Sequence, residues 1–250
     1  MVWSPARAQE APRDDPFPAQ VQKLTPGHAR EIRLEALDWM LHSGYRPKSD
    51  QALRAVEHCV KQDPDPEVRA KAVEVLGMTA YQHQPRVCPL AVLEALLDPD
   101  ADVRNIAMGC SGMYREFAPG AREVLLKATR HEAPGVRSHA LLLLAEIAPR
   151  DAGVVQIIRA AQNDKDFDVR CDAHFALFRI TGKLEDVVPY YLRMTAECRA
   201  EPSPRTEAEK EERTRKVLRC LGALNLLSDL GEKRPDELAK FLLEMLKDQS

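Results

Sequence analysis

Cys171, Asp172 and His174 fall within one turn of a stretch with helical periodicity, and His139 occupies the corresponding stretch about one repeat earlier. A cysteine and a histidine three apart can face one ion, with neighbouring helices adding ligands. The rest of the chain argues against that use. The place of Cys171 is taken by Cys220 in a later segment and by Ala70 in an earlier one, which suits a small side chain at a helix contact. No metal site is expected. The six cysteines, Cys59, Cys88, Cys110, Cys171, Cys198 and Cys220, carry no CxxC or finger-like spacing, and free, partly buried thiols are expected. The chain also has no GxSxG elbow, no GxxxxGK[ST] phosphate loop, no GxGxxG and no HExxH pair, so no catalytic residue and no cofactor are assigned.

Arginine recurs with more order. An aliphatic residue, Arg, and a small residue three positions later occur at Ile32-Arg33 with Ala36, Val68-Arg69 with Ala72, Val103-Arg104 with Ala107, Val136-Arg137 with Ala140, Val169-Arg170 with Ala173, and Leu218-Arg219 with Gly222. The separations are 36, 35, 33, 33 and 49 residues. Five anchors therefore share one period, and the sixth is displaced by about half a repeat. Leu192-Arg193 with Ala196 also matches but falls out of register, so the spacing carries the inference rather than the triplet.

The elements that hold these arginines follow from periodicity. In the fourth unit Val136, Ala140, Leu143, Leu144 and Ile147 share one helical face, which predicts a buried face. A second amphipathic stretch precedes the later anchors, as in "DQALRAVEHCVKQ" and "AGVVQIIRAAQ", so each unit is a pair of helices. The turn inside a pair is written in an acidic prefix, "DPDPEVR" and then "DPDADVR". Asp65 and Asp100 stand at N-cap positions, with Pro66 at the first helical position, and Asp166 repeats the device. In "HEAPGVR" Ala133 takes the cap position and the side-chain cap is lost.

Acidic turn, Val-Arg and Ala at this period resemble HEAT repeats, particularly the short bacterial kind, over roughly residues 25 to 250. The resemblance implies an all-α fold, a right-handed α-solenoid of about six HEAT-like helical pairs. It also implies a structural ladder of Arg33, Arg69, Arg104, Arg137, Arg170 and Arg219, each guanidinium bonding an acidic turn of a neighbouring unit in a charge-assisted pair. Asp63, Asp98, Asp100 and Asp164 stand nearby as acceptors. Ankyrin and tetratricopeptide repeats lack support, since neither their TPLH nor their Trp-Leu-Gly-Tyr elements occur. Enzymes on similar folds are the alternative class. Deoxyhypusine hydroxylase needs repeated His-Glu pairs, whereas this chain has one, His131-Glu132, in a turn. DNA glycosylases need aromatic side chains and a basic channel, whereas aromatics are 5% of residues and the formal charge is -3. A bilin-lyase-like accessory subunit is not separated from a scaffold by any motif.

The expected role is therefore nonenzymatic binding of a protein or peptide, with no nucleic acid as partner. No apolar run is long enough to span a membrane. Six residues after each anchor stand Asp38, Glu74, Gly109, Leu142, Phe175 and Leu224, so this line turns apolar in the later units. With Ile106 and Leu221 on the adjoining line, these residues either form a partner groove or pack between helices. Residues 1–24 read as a disordered leader rich in Pro and Ala. Ala6-Arg7-Ala8 resembles a signal cleavage box without the apolar stretch before it, which leaves the compartment open between cytoplasm and export. Thr206 with Glu209 has capping-box spacing and predicts one helix over 207–230, with its first turns near 206–217 extending past the array. The last stretch, "PDELAKFLLEMLKDQS", reads either as a capping helix or as the point where a longer solenoid is cut.

Overall fold

The computed structural model describes residues 17–42, 50–82, 86–200 and 204–247, with the backbone alone at some positions, among them Cys220, Leu221 and Leu224. The chain is an all-α solenoid divided into two compact units between Ala118 and Pro119.

The first unit pairs α1 (Phe17–Lys23) with α2 (Arg30–His42), and α3 (Asp50–Gln62) with α4 (Pro66–Gln82). Its third pair joins α5 (Leu90–Glu94), prolonged by a 3-10 turn at Ala95–Leu97, to α6 (Ala101–Ser111). Helix α1 lies inside the stretch read as leader. Val21 is half-buried and Leu24 is buried, and α1 packs on α2 and α3, so its apolar side chains find a surface that composition alone did not reveal. The second helices α2, α4 and α6 pack side by side. At Gly77 of α4 an added Cβ would fall 2.8 Å from the Cβ of Cys110 on α6, so glycine permits the close approach of the two helices. The Tyr114 hydroxyl donates to the Gly77 carbonyl. Beside them two short strands, β1 (Val87–Cys88) and β2 (Glu116–Phe117), pair in parallel.

The second unit pairs α7 (Ala121–Ala128) with α8 (Pro134–Ile147), and α9 (Ala152–Ala161) with α10 (Phe167–Thr181). It continues through α11 (Val188–Ala200), α12 (Glu207–Lys233) and α13 (Pro235–Lys247). Val136, Ala140, Leu143 and Leu144 are buried in α8, with Leu144 at 0% exposure, and Val169, Ala173, Ala176 and Leu177 do the same in α10. Gly182 ends α10 at φ +67, a left-handed conformation that costs glycine little. Helix α12 is one continuous element of 27 residues whose start carries the reciprocal capping box of Thr206 and Glu209.

The turns inside the pairs share one geometry. Asp65, Asp100 and Asp166 each accept two backbone N–H groups at the following helix start. Two residues earlier, Asp63, Asp98 and Asp164 accept the N–H of the capping residue through Oδ1. The same carboxylates receive an arginine fork. Arg33 donates through Nε and Nη2 to Asp63 at 2.8 and 3.0 Å, Arg69 to Asp98 at 2.9 and 3.0 Å, and Arg137 to Asp164 at 2.9 and 2.7 Å. The Nη1 of each arginine meanwhile donates to carbonyls of the turn before its own helix, such as His131 and Glu132 for Arg137. Arg104 and Arg170 make the carbonyl half, to Asp98 and Pro99 and to Asp164 and Lys165, and among the described residues no carboxylate fork joins it. In the turn before α8 the residue matching Asp63 is His131, whose Nδ1 accepts the Ala133 N–H; Ala133 makes no side-chain cap.

Two predictions test this packing. Leu144→Ala should lower unfolding free energy by about 2 to 5 kcal/mol, the usual cost of emptying a filled core site, and urea denaturation measures it. Asp63→Asn keeps an acceptor for the turn but removes the charge from a pair whose side chains are 6% and 2% exposed. It should cost about 3 kcal/mol because Arg33 is left buried without its counter-ion, and an unchanged urea midpoint would show that the rung contributes nothing.

Candidate functional site

Helices α8 and α10 lie side by side, each held by a buried valine, Val136 and Val169. Six residues after a buried anchor a helix has turned through about one and two thirds revolutions, which brings Leu142 and Phe175 to the rim of the buried face. Both are half-buried. Helix α12 is tied to α10 beside this surface by charge. Arg219 donates from Nε to Asp168 at 2.9 Å, and from Nη1 and Nη2 to Asp172 at 2.9 and 3.1 Å. Arg215 approaches Asp168 at 3.5 Å, and the Ser138 hydroxyl of α8 donates to Asp172. The buried carboxylate of Asp172 is thus satisfied from two helices, as a charge out of water must be.

Between the three helices a cleft of about 380 Å³ remains. Leu142 and Phe175 form one wall, and Leu218, Gly222 and Leu226 of α12 the other, with the Asp172–Arg219 pair at its edge. Leu218 is 64% exposed, an unusual place for a leucine beside two further apolar side chains. Of the residues expected on the binding stripe, the structure brings Leu142 and Phe175 together here. Ile106 is half-buried on α6 of the first unit. Leu221 and Leu224 belong to α12, but their side chains lie outside the described residues.

Arg219 departs from the ladder place assigned by spacing. A rung needs turn carbonyls five and six residues before the arginine, and residues 213 and 214 lie inside α12. Its anchor Leu218 is exposed, unlike the buried Val68, Val103, Val136 and Val169, and Ile32 of α2 is also 36% exposed. The interhelical lock was missed because its partners are 47 and 51 residues apart. Its available signal was a matched spacing, Asp168 and Asp172 on one helix against Arg215 and Arg219 on another.

The residues that could have done chemistry point in separate directions. Cys171 faces the Tyr190 hydroxyl at 3.6 Å and Met194 at 3.5 Å, and burial pushes its thiol up to about 11, so it stays protonated at neutral pH. The His174 Nδ1 lies 2.8 Å from the Asp186 carbonyl, and its ring stacks on Tyr190 at 4.0 Å. Among the described residues no group of three or more His, Cys, Asp or Glu could hold a metal ion. What the cleft offers is apolar contact beside a fixed ion pair.

Burial also holds His139 down at about 4 and lowers His174. His139 therefore stays neutral in the folded chain well below neutral pH, whereas the unfolded chain takes up a proton there below about pH 6.5. Its contribution to stability is complete above that pH and is lost as pH falls toward 4. Urea unfolding at pH 7 and pH 5 should differ by about 2 kcal/mol through His139, and His139→Gln should flatten that part of the slope.

No protein-family model matches the sequence, and no curated protein matches it. Among solved structures the chain is similar to the complex of CpcE and CpcF of phycocyanin lyase from Nostoc sp. PCC7120, with 18% identity, 78% of this chain and 76% of that chain covered, and a TM-score of 0.49. It is similar to a designed armadillo repeat protein in complex with the peptide (KR)4, with 16% identity, 82% and 100% covered, and a TM-score of 0.49. A computationally designed armadillo repeat protein for modular peptide recognition gives 17% identity, 83% and 99% covered, and a TM-score of 0.48. The repeat-solenoid architecture of this chain stands on its own helical pairs and their shared turns.

Proposed function

We propose that this chain is a nonenzymatic HEAT-type repeat module that binds a protein partner, and that the cleft between α8, α10 and α12 receives an apolar side chain or helix of that partner. The HEAT reading is supported by the recurrence of one turn, in which an Asp closes the turn, a second Asp caps the next helix, and Val-Arg follows. The binding reading is carried by Leu218. A side chain with 64% of its surface in solvent faces a cleft walled by Leu142 and Phe175, on a helix held in place by Arg219. Covering these three side chains would remove apolar surface from water without any rearrangement of the fold. The absence of a catalytic motif in the sequence agrees with a binding role, since function on such folds is read from the site and not from the architecture.

A photo-crosslinking residue placed at position 218 of the full chain should capture a polypeptide from the source cell. Leu218→Asp should reduce recovery of that polypeptide by about tenfold or more, the behaviour of a central contact residue, while the thermal midpoint stays near that of the parent chain, as for an exposed site. Undiminished capture by Leu218→Asp would overturn the reading.

A further inference from the structure

Glycine in the middle of a helix costs stability relative to alanine or leucine, and at Gly77 the nearness of Cys110 accounts for it. Gly222 of α12 is not crowded in that way. It is exposed, it lies well inside a helix of 27 residues, and among the described residues no heavy atom stands within 4 Å of the place its Cβ would take. What it has instead is a place on the apolar cleft. Leu218 and Leu226, one turn to either side of it on α12, line the same cleft. The wall of α12 is therefore notched at 222, with Leu142 and Phe175 across the cleft.

The walls also restrict what can enter. All of them are helices, whose interior N–H and C=O groups are already bonded along their own chain. An extended peptide laid in the cleft would leave its backbone groups without partners, whereas a helix satisfies them internally. Charge continues along the same stripe of α12. Seven and eleven residues before Leu218 stand Glu211 and Glu207, both exposed, at about 10 and 16 Å along the helix axis. Residues 207 to 212 hold four glutamates and one lysine, and Lys210 pairs with Glu207 at 2.6 Å. Arg215 turns back to Asp168 and Glu212, so the exposed start of the stripe is acidic and its middle is apolar.

We propose that an amphipathic α-helix of the partner lies along α12, seats one large apolar side chain over Gly222 and carries a basic residue toward Glu211. This rests on the binding role proposed above and makes Gly222 the position that decides which side chain fits. A side chain ringed by Leu142, Phe175, Leu218 and Leu226 would be held as a knob in a hole, the arrangement by which packed helices interlock.

The test uses the full chain and a fluorescein-labelled amphipathic peptide of leucine, lysine and alanine, about five helical turns long, read by anisotropy. Saturable binding is expected, and a counterpart with glutamate at every lysine should bind at least about tenfold more weakly. Gly222→Leu should weaken the lysine peptide by about tenfold or more, as for a filled central pocket, and Gly222→Ala should act in the same direction. Neither should lower the thermal midpoint, since both replace a helix-interior glycine; the alanine variant decides the matter if the leucine one unfolds. Gly109→Ala, at an equally open position on α6, should leave the affinity unchanged. Undiminished binding by the folded Gly222 variants, or no saturable binding by the parent chain, would overturn the proposal. If Leu218→Asp still weakened the peptide while the Gly222 variants did not, the cleft would remain the binding surface and only the seat at 222 would fall. Equal affinity for the glutamate peptide, or for a lysine peptide broken by a central proline, would also overturn it.

Discussion

One aspartate at the start of each complete turn does two jobs, and the order of the array depends on their coincidence. Through Oδ1 it closes its own turn by accepting the N–H two residues on, and through both oxygens it receives the arginine fork of the preceding second helix. The arginine in turn holds the carbonyls of the turn before it. No pair of short helices buries its own apolar face, so neighbouring pairs must stack in a fixed offset. Hydrophobic contact is nondirectional and cannot set that offset by itself. The bidentate pair can, because both oxygens and both nitrogens must meet in one plane.

Departures from that rule are where the molecule becomes particular. His131 can close a turn through its ring nitrogen, but it has no carboxylate oxygens with which to receive a fork. Arg170 keeps its carbonyl half, and among the described residues no carboxylate fork joins it. Arg219 leaves the pattern altogether and reaches back to Asp168 and Asp172, tying α12 to α10. The cleft lies beside the last of these, lined by Leu142 and Phe175 together with Leu218 and Arg219 of α12, and Leu218 stays 64% exposed there.

Much of the fold is legible in the chain. The buried faces of α4, α8 and α10 follow from spacings of three and four, the caps from Asp before Pro or Ala, and the start of α12 from Thr206 and Glu209. Less of the site is legible. The apolar line through Leu142 and Phe175 could be drawn from the anchors, yet the same line gave Leu221 and Leu224, whose side chains lie outside the described residues. The triplet around Arg219 fitted the pattern by composition but lay inside a helix with no turn before it. Helix α1 was hidden for the opposite reason, a short segment among prolines whose apolar contacts come from α2 and α3.

The sequence by itself determined the helices of the repeats, their pairing and the chemistry of the turns, α1 excepted, because helical period, N-caps and Asp–Arg complementarity act over a few residues or over one repeat. Only the tertiary structure decided which arginines complete a rung, which leucine stays in solvent and where a cleft remains. Those outcomes depend on contacts between residues 27 to 51 positions apart, such as Arg137 with Asp164 and Asp168 with Arg219, and no local pattern fixes how two such helices pack.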